Sequence, residues 1–180
     1  MGALFASPRR MRTAQAVAVT MTILALGTSV RALPQTGERF PPIAAPDLTG
    51  QTQSLGEIAA GRVTMVVAIA DRDAANAMRA WYVASASEAP ASVARQSLIS
   101  LHLPFFVSTD YARAKAREQV PQPYWHATLF DRGDMAKVLG LQGKVPYVFA
   151  VDESGRILAT VHGTVDGPGA DEVWRALRRR

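Results

Sequence analysis

The 180 residues suit one ordinary domain better than two. Hydrophobic residues make up 48% of the chain and charged residues 19%, a globular balance that argues against disorder. Twenty basic and fifteen acidic side chains give a formal charge of +5, and there is no cysteine, which excludes disulfides, zinc–thiolate sites, iron–sulfur clusters, cysteine nucleophiles and lipoprotein-type acylation.

Arg9, Arg10 and Arg12 precede an apolar run from Ala14 to Gly27, and no acidic residue occurs before Glu38. The run is shorter than the roughly 20 residues a membrane-spanning helix needs. Val30-Arg31-Ala32 then offers small residues at −3 and −1. Together these features predict a cleaved secretory signal over residues 1–32 and a mature domain over 33–180. An uncleaved N-terminal anchor or a basic tail is the alternative. Arg9-Arg10 suggests the twin-arginine route, but Arg12 stands where that signal prefers an apolar residue, so the general secretion route and a periplasmic or secreted location are expected. Four arginines and no acidic residue leave with the signal, so the mature net charge is +1. Arg178, Arg179 and Arg180 then read as a solvated helix end, and no clustered basic face suggests nucleic acid.

Along the mature chain, prolines 34, 41, 42 and 46 mark an extended lead-in, and Asp47-Leu-Thr-Gly50 a turn. Ser54-x-x-Glu57 has capping-box spacing and predicts a short helix through Ala60 that ends at Gly61. Residues 63–70 are apolar and rich in β-branched side chains, as in a strand buried on both faces. Asp71-Arg72-Asp73 can cap a helix over residues 74–87, where Ala77, Met78, Trp81 and Ala84 form an apolar stripe. Residues 92–101 are assigned a second helix, 103–109 a strand, 110–119 a polar helix, 126–130 a short strand and 134–139 a short helix. Tyr147–Val151, the turn Asp152-Glu-Ser-Gly155 and Arg156–Val161 form a β-hairpin. A last helix starts at Ala170 with Val173, Trp174 and Leu177 on one side. This α/β order predicts a mixed sheet with helices on both faces.

The order, with Val145-Pro146 directly before the hairpin, resembles the thioredoxin-like superfamily, and within it the redoxin branch of extracytoplasmic thioredoxins and peroxiredoxin relatives. Three stretches carry the likeness: Asp47-Leu-Thr-Gly-Gln51 with Ser54-Leu55, Gly61-Arg-Val63 with the apolar run to Ala70, and Lys144-Val-Pro through Ile157. The resemblance implies an N-terminal β-extension and a cis peptide bond before Pro146, although trans is the ordinary state of an X-Pro bond. It also implies that the backbone of Val145 pairs with an extended peptide, an implication that a trans bond would defeat; a rigid turn before the strand is the alternative. Redox-active members carry C-x-x-C, or a peroxidatic cysteine, just after the first central strand. Here that stretch reads Ala70-Asp-Arg-Asp-Ala-Ala-Asn76. Thiol exchange requires a thiolate, so neither oxidoreductase nor peroxidase activity is expected.

Asp71, Arg72 and Asp73 stand where the resemblance locates its active site. Helix capping, with Asp73 accepting N–H bonds, is their simplest role; an altered ligand site in which Arg72 engages an anionic group is the other. His102, His126 and His162 match no metal-ligand spacing and read as ordinary satisfied or exposed residues. Tyr124 and Trp125 are a partner-binding patch or core packing. No catalytic residue, cofactor or metal is assigned. The leading expectation is a redox-silent domain that binds a protein or peptide along Asp71, Arg72, Asp73, Val145 and Pro146. An enzyme of non-thiol chemistry and an assembly subunit are the alternatives.

Overall fold

A computed structural model describes residues 33–56 and 61–179. The signal over residues 1–32 and most of the short helix expected after Ser54 lie outside the described residues. Two short strands, β1 (Ala44–Pro46) and β2 (Thr52–Ser54), pair antiparallel around the Asp47 turn. They are followed by β3 (Thr64–Ile69), α1 (Ala75–Glu88), β4 (Ala94–Ser100), α2 (Thr109–Gln119), β5 (Thr128–Asp131), α3 (Asp134–Leu139), β6 (Tyr147–Val151), β7 (Ile157–His162) and α4 (Ala170–Arg178).

The main sheet runs β5-β4-β3-β6-β7. Strands β3, β4 and β5 are parallel, and β6 and β7 are antiparallel to their neighbours. All six residues of β3 and all five of β6 are buried, as expected of central strands covered on both faces. Alternate residues separate two cores. Met65, Val67, Val148 and Ala150 pack with Met78 and Trp81 of α1 and with Val173, Trp174 and Leu177 of α4. Val66, Ala68, Phe149 and Val151 pack with Met135 and Leu139 of α3 and with Ile43, Ala45 and Phe40 of the lead-in. This is the mixed sheet with helices on both faces that the element order predicts.

Two assignments are corrected. Residues 92–101 hold strand β4 rather than a helix, and residues 103–109 form a loop and the first residue of α2 rather than a strand. The reason is the neighbourhood of β4. It lies between β3 and β5, so it is paired with β3 from residue 94 to residue 99 and with β5 from residue 97 to residue 100, and Gln96, Leu98, Ile99 and Ser100 are buried. Leu103–Val107 lies past the end of β5, with no partner strand, and Phe105 and Phe106 point into solvent at 93% and 76% exposure.

The lead-in is tied at two places. Gly37 and Phe40 donate N–H bonds to the carbonyls of Ile157 and Gly155 at 2.8 Å, and Asp47 bridges to Leu129. The second contact covers part of the otherwise open edge of β5. The hairpin turn is closed by Asp152, whose Oδ1 accepts N–H bonds from Ser154 and Arg156 at 2.8 and 2.9 Å.

Candidate functional site

The parallel strands end where β6 begins. Ile69 faces Ile99, Ser100 faces Asp131, and Ala68 faces Tyr147. The residues after β3, β4 and β5 and those before β6 therefore meet at one edge of the sheet. In open sheets of this kind, ligands bind beyond the carboxyl ends of the strands.

Residue 71 leaves the strand in extended geometry, and its Oδ1 accepts the Asp73 N–H at 2.8 Å. A single 3₁₀ turn, Arg72–Ala74, then runs straight into α1. The capping role belongs to Asp71, where the sequence suggested Asp73; the β-region backbone of Asp71 suits an N-cap. Asp73 instead reaches across the edge, and its Oδ2 lies 2.9 Å from Lys144 Nζ. The Lys144 ammonium, by hydrogen bond and by charge, holds the Asp73 carboxyl below the ordinary carboxylate range. Asp73, with Asp71 behind it, raises Lys144 in turn. Both side chains are at least half exposed, so water screens the pair and its share of stability is small. Its value is positional: it links the turn after β3 to the loop that carries Val145 and Pro146.

Sequence reasoning passed over Lys144. The available signal was a lone cation directly before Val145-Pro146, opposite in sign to the two aspartates after β3. The Arg72 side chain is exposed and makes no hydrogen bond or ion pair among the described residues.

Pro146 is buried, and no peptide bond among the described residues is cis. The cis bond implied by the resemblance is therefore absent, and the Val145–Pro146 bond holds the isomer that X-Pro bonds ordinarily prefer. The Pro146 carbonyl accepts the Gly163 N–H at 3.0 Å, and the Gly163 carbonyl accepts Trp81 Nε1–H at 3.0 Å. Next to it, Tyr147 and His162 stack with ring centroids 3.9 Å apart and planes 3° apart. This framework fixes the backbone on the far side of Pro146. On the near side, the N–H and C=O of half-buried Val145 pair with no other group among the described residues.

A cavity lined by Phe40, Val66, Val138 and Val151 opens near the Asp152–Gly155 turn, at the other end of the sheet, and none of the candidate residues borders it. The histidines are dispersed. His102 is exposed, His162 is stacked, and His126 Nδ1 lies 2.9 Å from the buried carboxylate of Asp47. Among the described residues, no three potential metal ligands cluster. Trp125 packs against the core and donates its indole N–H to the Val120 carbonyl, whereas Tyr124 is exposed.

No family model matches the chain, and no curated protein is similar to it in sequence. Solved structures are similar in fold. A thiol peroxidase from Chromobacterium violaceum superposes with a TM-score of 0.55 at 13% identity, covering 83% of this chain and 89% of its own. The thioredoxin domain of a thiol-disulfide oxidoreductase from Bacteroides vulgatus gives 0.52 at 18%, covering 81% and 97%. The peroxidoxin BcpB from Mycobacterium tuberculosis gives 0.50 at 20%, covering 79% and 96%. The chain thus has a thioredoxin-like fold, with no cysteine anywhere in its sequence.

Proposed function

We propose that this protein is an exported, redox-silent binding module of thioredoxin-like fold, which holds an extended segment of a protein or peptide at the edge formed by Asp71–Asp73 and Val145–Pro146. One observation carries the reading. Val145 keeps both backbone hydrogen-bonding groups unpaired at a half-buried position, beside an ion pair that ties its loop to the head of α1. An incoming extended chain can satisfy both of these groups at once. With Val145–Pro146 in trans, the pairing implied by the family resemblance is not carried over, and the reading rests on the open backbone groups of Val145 alone. Without a thiolate, the bound segment would be held and released rather than reduced or oxidised.

Export rests on the charged, apolar and small-residue pattern of residues 9–32. N-terminal sequencing of protein recovered from the periplasm or medium should begin at Leu33; an intact Met1 start confined to the cytoplasm overturns that part. For the binding part, an extended peptide should shift and protect the Val145 amide in nitrogen-resolved NMR spectra. Binding that leaves residues 143–147 unmoved overturns it. Turnover in insulin-reduction or peroxide-consumption assays of the purified protein overturns redox silence.

A further inference from the structure

Between buried Leu141, just past α3, and buried Pro146 the chain runs Gln142-Gly-Lys-Val145. Gln142, Gly143 and Lys144 are exposed, and Val145 is half-buried. The two ends of this stretch are fixed. Leu141 donates its N–H to the Ala136 carbonyl at 2.9 Å, and the Pro146 carbonyl accepts from Gly163 at 3.0 Å. Within the four residues, no backbone group forms a hydrogen bond among the described residues. Gly143 has a φ of +86°, and a Cβ there would meet only the His162 ring, at 3.8 Å. Glycine is the residue with the widest choice of backbone conformations, so neither bonding nor packing at Gly143 fixes the loop.

One polar tether crosses the gap. Lys144 Nζ lies 2.9 Å from Asp73 Oδ2, on the turn that leads into α1. Among the described residues, it is the single hydrogen bond or ion pair that residues 142–145 make. The turn is the firmer partner. Asp71 caps it, Ala74 next to Asp73 is fully buried, and α1 continues from it. The pair therefore holds the loop to the helix rather than the helix to the loop. Asp71 also attracts the Lys144 ammonium, and Arg72 repels it. The two side chains of the pair are 71% and 50% exposed, so dissolved ions reach the contact. The screening length falls from about 10 Å at 0.1 M salt to about 3 Å at 1 M, the length of the contact itself.

We propose that the Asp73–Lys144 pair is a salt-sensitive latch that sets Val145 for pairing, so that ionic strength regulates how tightly the extended segment is held. The inference rests on the peptide-binding reading above and adds the regulation of that site. With the latch closed, the open N–H and C=O of Val145 keep one arrangement. With the latch screened, residues 142–145 lose their polar tether, the pairing arrangement becomes one of several, and the apparent affinity falls with its population. The salt dependence belongs to the protein and not to the charge of the segment. An uncharged segment feels it too, which separates the latch from ordinary attraction between charged partners.

The test titrates an uncharged decapeptide, alternating valine and serine with blocked ends, against nitrogen-15-labelled protein and reads the Val145 amide. Affinity should fall about two- to fivefold between about 20 mM and about 1 M sodium chloride, the scale of an exposed ion pair. Lys144→Ala should bind at low salt as weakly as wild type does at high salt, and its affinity should no longer depend on salt. Lys144→Arg should keep both the affinity and the dependence. In the free protein, the order parameters of the amides at 143–145 should drop with Lys144→Ala and with added salt. Lys137→Ala opens another exposed pair, with Asp134 on α3, and should change neither readout. An unchanged melting temperature shows that the variants fold. Equal affinity of wild type and Lys144→Ala at low salt, or a wild-type affinity indifferent to salt, overturns the latch and leaves the peptide-binding reading standing. Order parameters that Lys144→Ala leaves unchanged overturn the latch as well. A peptide that does not shift Val145 at either salt concentration overturns the peptide-binding reading, and this regulation with it.

Discussion

Asp47 shows how much one side chain does in the N-terminal extension. It is fully buried, yet its Oδ1 accepts the Thr49 hydroxyl at 2.6 Å and the N–H groups of Thr49 and Gln51 at 2.7 and 3.1 Å, while Oδ2 meets His126. Burial pushes its carboxyl up; the Thr49 hydroxyl, His126 and the two N–H groups outweigh burial and leave it below its ordinary 3.8. A lowered folded-state value means the carboxylate stabilises the fold above the ordinary range, and that contribution is lost as pH falls through the lowered value. Asp47→Ala should therefore cost about 3 kcal/mol at pH 7, the scale of losing charge-assisted bonds to a buried group. The gap between wild type and variant, read from urea midpoints, should narrow on going from pH 7 to pH 3. A gap that stays constant with pH would show that Asp47 acts through its shape alone. Gly169 gives a second single-residue test. Its φ is +91°, and a Cβ there would stand 2.9 Å from Val161 Cγ2, on the neighbouring strand. Gly169→Ala combines a left-handed backbone with a clash, so about 2 kcal/mol of destabilisation or more is expected in chemical denaturation.

Among the elements, α4 was legible because its apolar residues keep helical spacing. Val173, Trp174 and Leu177 are buried as that spacing implies, and Asp171 and Glu172 at its start with Arg175 and Arg178 at its end suit its dipole. Its main anchor is Trp174, whose ring lies 5.0 Å from that of Trp81 on α1. Trp174→Ala should cost about 3–5 kcal/mol and lower the melting temperature by about 10 °C for a domain of this size. A shift of a degree or two would mean that α4 is not part of the cooperative core. Strand β4 was not legible for the opposite reason. Ala94, Arg95, Gln96 and Ser97 carry little β-branched or apolar signal, and its strand state comes from pairing on both sides with β3 and β5. Gln96 is buried at 1% exposure with no partner for its amide, a residue that a local pattern would never assign to the middle of a sheet. The apolar run at 103–107 misled in the complementary way, because periodicity cannot tell a strand from a loop tip whose phenylalanines face water.

For the molecule as a whole, the strand end and helix start that frame the candidate residues were legible, and the contacts among those residues were not. A β-branched run followed by Asp-Arg-Asp marks the end of a buried strand and a helix start, and both are where the pattern implies. The Asp73–Lys144 pair joins residues 71 positions apart, a contact that no local motif encodes. The turn at the head of α1 stands in a sequence without a thiol, so its effect on a thiol can be tested by introducing one. Asp71→Cys puts a sulfur where the Asp73 N–H now finds its acceptor, with Arg72 adjacent and Lys144 across the edge. N–H donors at a helix start and nearby cations stabilise a thiolate. The introduced thiol should therefore alkylate with iodoacetamide at a midpoint below about pH 8.5, the usual value for a free cysteine side chain. Lys144→Ala in the same background should move that midpoint up. Adding Ala74→Cys, at the fully buried position three residues on, should bring insulin reduction from undetectable to measurable. An alkylation midpoint at or above the free-thiol value would show instead that this edge does not stabilise a thiolate.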